Sequence, residues 1–498
     1  MMTDPQWHRI GKYPHHGIVV ALASLRSQNG CGIGEFLDLL PLIPWCRSIG
    51  LDVIQLLPLN DSGEDPSPYN PISSCALDPV YLSLSALPNP HESLDSFAPF
   101  MTSQHTQFTQ VKHQKLQWLK HYFEHNIHLL TTKEYQQFLQ DHPWVYPYAR
   151  FRAYKDLYNN SHWKDWPGSL PEQSGEFYTF VQYLCYRQMH QVRQAADAAG
   201  LFLKGDLSIL ISPDSADVWS ERELFHLELV AGAPPDQYNQ LGQKWGFPLF
   251  NWQAMEQNDY RWWKRRLKVA EEYFHIYRID HIVGFFRIWA IPPDKKATEG
   301  HFIPSDAAQW PDHGRKILEV LIQSSSLLPI GEDLGTIPPF VPHILKELGI
   351  CGTKVMRWQR DWHHSYIPFD HYEPLSLTTV STHDLEPLGL WWQKFHEEAQ
   401  SFAHFKHWTY APVLSAGERF DILKDSHHTA SLFHINLLQE TLALFPELVW
   451  PNPEDERINI PGEETKANWV YRYRPYVEEI VSHAELQDAF AKIVHSHI

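Results

Sequence analysis

An amphipathic helix, a glycine, and a short apolar run that stops on polar residues: this unit recurs along the chain, and it narrows the choice of fold. Residues 34–48 carry helical periodicity, Gly50 follows, and Asp52-Val53-Ile54-Gln55-Leu56-Leu57 is the strand. The pattern returns at residues 180–199, with Gly200 and a strand leading through Leu201 and Leu203 to Asp206. Residues 260–272 precede the strand His275-Ile276-Tyr277-Arg278-Ile279-Asp280, and residues 316–324 precede Leu328-Pro329-Ile330-Gly331-Glu332. Residues 340–348, then Gly349, introduce a strand over residues 351–357. Strands that alternate with helices build a parallel sheet, because a parallel pair needs a crossover between its strands. This many cycles favours closure into an α/β (β/α)8 TIM barrel. A doubly wound open sheet is the alternative, but no Gly-rich phosphate loop follows Ile18-Val19-Val20-Ala21-Leu22.

The barrel reading predicts one catalytic unit over residues 1–498, a length that such a barrel reaches with insertions. Residues 85–170 break the alternation and read as an inserted, mostly helical subdomain on the C-terminal face of the strands. The stretch 231–252, rich in Gly, Pro, Gln and Trp, reads as a long active-site loop. From about residue 403 the chain reads as helical, with no shift in composition.

Composition restricts the partners. A formal charge of −18, from 41 basic and 59 acidic residues, disfavours nucleic acid and anionic membranes and leaves neutral substrates open. No window is apolar for long enough to span a bilayer, and residues 1–15 lack the apolar core of a secretory signal. Cys31, Cys46, Cys75, Cys185 and Cys351 have neither metal spacing nor an even count, which predicts core thiols in the cytoplasm. The 20 tryptophans, 22 tyrosines and 26 phenylalanines serve core packing, and they also suit a site where rings stack on the apolar faces of sugars.

Three apolar runs end on acids: at Asp280, at Glu332, and at Thr379-Val380-Ser381-Thr382-His383-Asp384. In a barrel, strand ends of this kind converge on one pocket. Cleaving a glycosidic bond with retention needs two carboxyl groups about 5–5.5 Å apart, one ionised and one protonated. Arg278 lies two residues before Asp280, on the same strand face, and is expected to keep that carboxylate ionised as nucleophile. Glu332 has the longer reach and an apolar setting (Pro329, Ile330, Leu334), expected to raise its pKa as acid/base. His383 and Asp384 are expected to bind sugar hydroxyls. Alone, each segment has a blander reading: a structural ion pair, a loop, a chance dipeptide. Jointly they favour catalysis.

Arg278-Ile279-Asp280-His281, Gly331-Glu332-Asp333-Leu334-Gly335 and Thr382-His383-Asp384 resemble three signature regions of the α-amylase superfamily. Finer similarity is to the 4-α-glucanotransferases, the amylomaltases or disproportionating enzymes of glycoside hydrolase family 77. It is carried by Leu56-Leu57-Pro58-Leu59 with Ser67-Pro68-Tyr69-Asn70-Pro71, and by Gly205-Asp206-Leu207-Ser208-Ile209 with Asp214-Ser215-Ala216-Asp217-Val218-Trp219. Gly232-Ala233-Pro234-Pro235-Asp236 with Gly242-Gln243-Lys244-Trp245-Gly246 adds to it, and the similarity runs over about residues 17–392. The resemblance implies a retaining double displacement on α-1,4-glucans (maltodextrins and maltose, with glucose as an acceptor), with no metal and no organic cofactor, by a monomer or homodimer. It implies Asp280, Glu332 and Asp384 as catalytic residues. Tyr69, Asp206, Asp236, Gln243, Trp245, Arg278, His281, Asp333 and His383 are the implied substrate-binding residues.

Several positions depart from the family pattern. Gln237 precedes Tyr238 where a second aromatic is common, Asp78-Pro79 replaces Asn-Pro, Ser381 replaces Gly, Leu385 replaces Asn, and Phe247 replaces Asn. No acid is lost. Competing readings are an α-glucan hydrolase of the same superfamily and a catalytically silent glucan-binding protein.

Overall fold

A computed structural model describes residues 1–90, 92–235, 240–462 and 465–495. Its strands, in chain order, are β1 (His15–Val20), β2 (Val53–Leu56), β3 (Phe202–Leu207), β4 (Phe225–Ala233), β5 (Gln243–Phe250) and β6 (Ile276–Ile279). They continue with β7 (Ile288–Ile291), β8 (His301–Ile303), β9 (Leu328–Gly331), β10 (Gly352–Val355), β11 (Ser376–Thr379) and β12 (Phe433–Leu437).

Eight of these strands form one sheet in the order β10-β11-β12-β1-β2-β3-β6-β9, every pair parallel. A single parallel bridge between Ile330 and Cys351 joins the two end strands, and Gly331 N–H donates to the Cys351 carbonyl at 2.8 Å. The sheet is therefore the (β/α)8 barrel that the recurring unit predicts. Every residue of β2, β6 and β9 is buried, as expected for parallel strands covered on both faces.

The tail departs from its helical reading. β12 lies between β11 and β1, and without it the barrel would stay open. Its sequence, Phe433-His434-Ile435-Asn436-Leu437, alternates apolar and polar residues over five positions only. So short a run has no helical cycle of its own to announce it.

The stretch 231–252 also departs from its reading as a loop. Half of it is strand, the end of β4 and all of β5, in an antiparallel sheet of order β5-β4-β7-β8. Gln243, Trp245 and Phe247 alternate with the exposed Lys244 and Gly246, so the hairpin has one covered face. Period two carried by Gln, Trp and Phe rather than aliphatic residues hid the strand. Asp236, Gln237 and Tyr238 lie outside the described residues.

Between β2 and β3 the chain forms helices at Phe108–His125, Lys133–Asp141 and Val145–Leu157, then the 24-residue helix Glu176–Ala199. A buried ionic network ties two of these helices, Phe108–His125 and Val145–Leu157, to the loop after β2. Lys112 Nζ donates to Asp61 Oδ1 at 2.6 Å and to Asp78 Oδ2 at 2.7 Å. Asp61 Oδ2 also accepts from Tyr148 at 2.6 Å and from Arg152 at 3.0 Å. Asp78, the departure from the family Asn, is thus one of two acids matched to two cations. The network closes the base of the loop that carries Tyr69, where Asp78 N–H donates to the Leu59 carbonyl and Ile72 N–H to that of Asp61. No helix among the described residues is long and apolar enough to cross a membrane.

Candidate active site

Arg278 organises the C-terminal mouth of the barrel. It stands on β6, and its guanidinium is 8% exposed. Nη1 donates to both Asp206 oxygens at 2.8 Å and to Asp280 Oδ1 at 3.1 Å, while Nη2 lies 2.8 Å from Glu332 Oε1. Three strands, β3, β6 and β9, thereby deliver their acids to one cation. In register, Asp206 faces Arg278 across β3–β6, and Arg278 faces Ile330, two residues before Glu332, across β6–β9.

The acids are not equivalent in exposure. The Asp206 side chain is fully enclosed, whereas Asp280, Glu332 and Asp384 are 21%, 16% and 33% exposed. Asp206 stands behind Arg278 and accepts from the Tyr69 hydroxyl at 2.7 Å. The other three face the cleft. His281, just past β6, has φ 43° and ψ 55°, a left-handed backbone rarely adopted by a non-glycine residue. This turn aims its N–H at Glu332 Oε2, 2.9 Å away.

The pKa shifts of the two acids run in the directions opposite to those expected from sequence. Burial, reinforced by the charges of Glu332, Asp206 and Asp384 and only partly offset by Arg278, lifts Asp280 to about 7. For Glu332, burial is outweighed by Arg278 and the His281 N–H, so its pKa lies below the usual range. The reason is geometric. Glu332 has two short donors to itself, while Asp280 shares Nη1 with Asp206 and, among the described residues, otherwise accepts only from the Ile209 N–H at 3.4 Å. Adjacency in sequence gave Arg278 to Asp280; the fold gives much of it to Glu332.

Asp384 follows β11 in the chain. Its Oδ2 is 3.3 Å from His383 Nε2, an ion-pair contact rather than an aligned hydrogen bond, and its Oδ1 accepts from Asn459 Nδ2 at 2.7 Å. Burial works against ionisation, but His383 and Asn459 hold Asp384 down to about 2. Burial likewise opposes charge on His383, yet Asp384 raises its pKa. The His383 ring stacks on Tyr69, with centroids 5.1 Å apart and planes at 9°. Trp469 touches both rings, at 5.7 Å from Tyr69 and 6.0 Å from His383. Asn459 and Trp469 were not singled out from sequence. The signal was Asn459-Ile460-Pro461-Gly462, a turn-forming run that interrupts a supposed helix.

Trp245 packs edge-on against His281 with centroids 5.2 Å apart, and its Nε1 donates to Gln243 Oε1 at 2.9 Å. The hairpin β4–β5 thus brings both residues to the rim of the same cleft. Asp333 points elsewhere. Its Oδ1 accepts the Thr353 N–H at 2.6 Å, and its carboxylate fills the place a side chain at Gly352 would need. It fastens the β9–β10 seam, where strand pairing is reduced to one bridge. Asp236 lies outside the described residues. Of the departures, Ser381 is explained by its hydroxyl, which donates to the fully buried Glu440. Nothing in the structure explains Leu385.

The profile of the 4-alpha-glucanotransferase family matches residues 20–478, beyond the span recognised from motifs alone and including Asn459 and Trp469. A 4-alpha-glucanotransferase of Chlamydia pneumoniae is 44% identical, over 98% of this chain and 97% of its own. One from Thermus thermophilus is 28% identical over 92% and 94%. An amylomaltase structure from Streptococcus agalactiae superposes with a TM-score of 0.82 at 23% identity, over 97% of this chain and 99% of that one, which confirms the fold. The chain therefore belongs to the 4-alpha-glucanotransferase family and is an enzyme of that class.

Proposed function

We propose that this enzyme moves a segment of an α-1,4-glucan to the 4-hydroxyl of glucose or of another α-1,4-glucan, by retaining double displacement. One observation carries the reading: three acids from separate strand ends, Asp280, Glu332 and Asp384, open on one cleft around a guanidinium held from behind by Asp206. In the first step an Asp280 oxygen attacks the anomeric carbon while Glu332 protonates the departing glycosidic oxygen, leaving a glucosyl ester. In the second, Glu332 takes the proton of the acceptor 4-hydroxyl, whose oxygen attacks the anomeric carbon and frees Asp280. Asp384, held ionised, accepts from ring hydroxyls and favours the flattened sugar of the transition state.

In the ligand-free site burial raises the Asp280 pKa while Arg278 and the His281 N–H lower that of Glu332, so the reacting state needs the proton on Glu332 rather than on Asp280. Gln243 and Trp245, locked together on the hairpin, line the acceptor side and keep water out, which supports transfer over hydrolysis. The five buried free cysteines support a cytoplasmic setting.

Incubation with maltotriose tests the reading. Glucose together with a ladder of longer maltodextrins is expected. Shortening alone, with reducing ends rising, would replace the transferase by a hydrolase.

A further inference from the structure

Beneath the carboxylate cluster lies a lysine without a counter-ion. Lys204 precedes Asp206 by two residues on β3, points to the same side, and is 1% exposed. Its Nζ donates to a neutral group, Gln55 Oε1, at 2.6 Å across the β2–β3 pair. Among the described residues, no carboxylate lies within 4.0 Å of it. The other buried lysines are all paired with acids: Lys112 with Asp61 and Asp78, Lys115 with Glu35, Lys155 with Asp214. Burying an ammonium without an anion is costly, so the exception calls for a reason.

The surroundings supply one. A cavity of about 30 Å³ in the barrel interior is bounded by Gln55, Lys204, Arg278, Thr353, Thr379 and His383. That is room enough for water, and the lining is polar enough to hold it. The cavity links Lys204 to the underside of the two residues that organise the site, Arg278 and His383. Asp206 on β3, Arg278 on β6 and Glu332 after β9 are charged groups near it, His383 after β11 bounds the same cavity, and the Cys351 thiol before β10 and Gln55 on β2 are neutral. Burial first, then the Arg278 charge, pull Lys204 down to about 7, with Asp206 acting in the opposite sense.

We propose that Lys204 is a positioning residue for glucan transfer: a cation under the cluster whose field keeps one proton, rather than two, on the Asp280–Glu332 pair. Three acids, Asp206, Asp280 and Glu332, meet one guanidinium above it, and double displacement needs one of the reacting pair ionised and the other protonated. A positive charge below the floor favours that state without touching substrate. The inference rests on the transferase reading above.

The test is the pH profile of kcat/KM for maltotriose disproportionation in Lys204→Met. Removing the cation raises the carboxylate pKa values, and both limbs are expected to move to higher pH by about one unit. A role in packing alone would lower the melting temperature and scale the profile while leaving its limbs in place, and that result overturns the proposal. A second measurement does not depend on activity. In wild-type protein carrying ¹³Cε-lysine, the resonance missing from Lys204→Gln should report a charged ammonium at the pH of the activity optimum, and a neutral amine throughout that range also overturns it. Absence of the maltodextrin ladder in the wild type would instead remove the transferase reading and leave the lysine titration unaffected.

Discussion

The loop after β2 touches two clusters of buried charge, and they are balanced differently. At its base, Asp61 and Asp78 face Lys112 and Arg152, two acids against two cations, with side chains at most 5% exposed. At its tip, Tyr69 reaches the candidate site, where Asp206, Asp280 and Glu332 gather around the guanidinium of Arg278 and Asp384 pairs with His383. The basal cluster is closed and neutral, and each charge has its partner. The site is open and acidic, and it has to hold a proton. The difference separates two uses of buried charge: matched pairs fix where helices dock, whereas a deficit of cations keeps a proton available for chemistry.

Asp280→Asn separates the two clusters most strongly. Turnover on maltotriose should fall by about 10⁴-fold or more, the scale on which covalent catalysis depends on its nucleophile. Glucan binding should persist, and disproportionation at the wild-type rate would sink the assignment. The same variant should melt at higher temperature than wild type. Because the folded-state pKa of Asp280 is raised, the native protein holds a proton that the unfolded chain releases between about pH 4 and 7, and wild-type stability falls as pH rises through that window. The gap in melting temperature should therefore widen from pH 5 to pH 8. A gap independent of pH would show that the acidic excess is not costly.

Glu332→Gln should lower activity on natural glucans by about 10²–10⁴-fold, as expected for loss of a general acid. The first step should be largely spared with an α-glucosyl fluoride, whose leaving group needs no proton. Equal loss on both donors would rule out the acid role. Lys112→Met tests the balanced cluster and should destabilise the fold by about 3–5 kcal/mol, since it leaves buried Asp78 without a cation and Asp61 with Arg152 alone. Urea denaturation reads this directly; a change below 1 kcal/mol would erase the contrast between the clusters. The smallest effect is expected from Ser381→Gly, which restores the family residue but removes a donor from buried Glu440. A loss of about 1–3 kcal/mol in thermal or urea unfolding is expected, with kcat nearly unchanged.

Much of this was legible in the chain. The barrel could be read from its cycles, because helix and strand periods are local properties of sequence. The acids at Asp280, Glu332 and Asp384 could be read because apolar runs that end on charge mark strand ends. What stayed hidden was non-local or short. β12 is five residues without a preceding cycle, and the β4–β5 hairpin alternates in polar and aromatic residues. Asn459 and Trp469 arrive from a segment about 75 residues beyond Asp384. Asp333 sits in the best motif of the chain, yet it turns to the β9–β10 seam.

By itself the sequence determined the fold class, the strand ends and the identity of the acids, since these depend on periodicity, motif and residue type. Only the tertiary structure decided in which direction the pKa of each acid moves. Asp280 and Glu332 are 52 residues apart, and Arg278 is adjacent to one of them only in the chain. Their protonation depends on how three strands and the turn at His281 divide a few donors among three carboxylates. That division is a matter of distances of a few ångströms in a low-dielectric cleft, where each short contact counts for far more than it does in water.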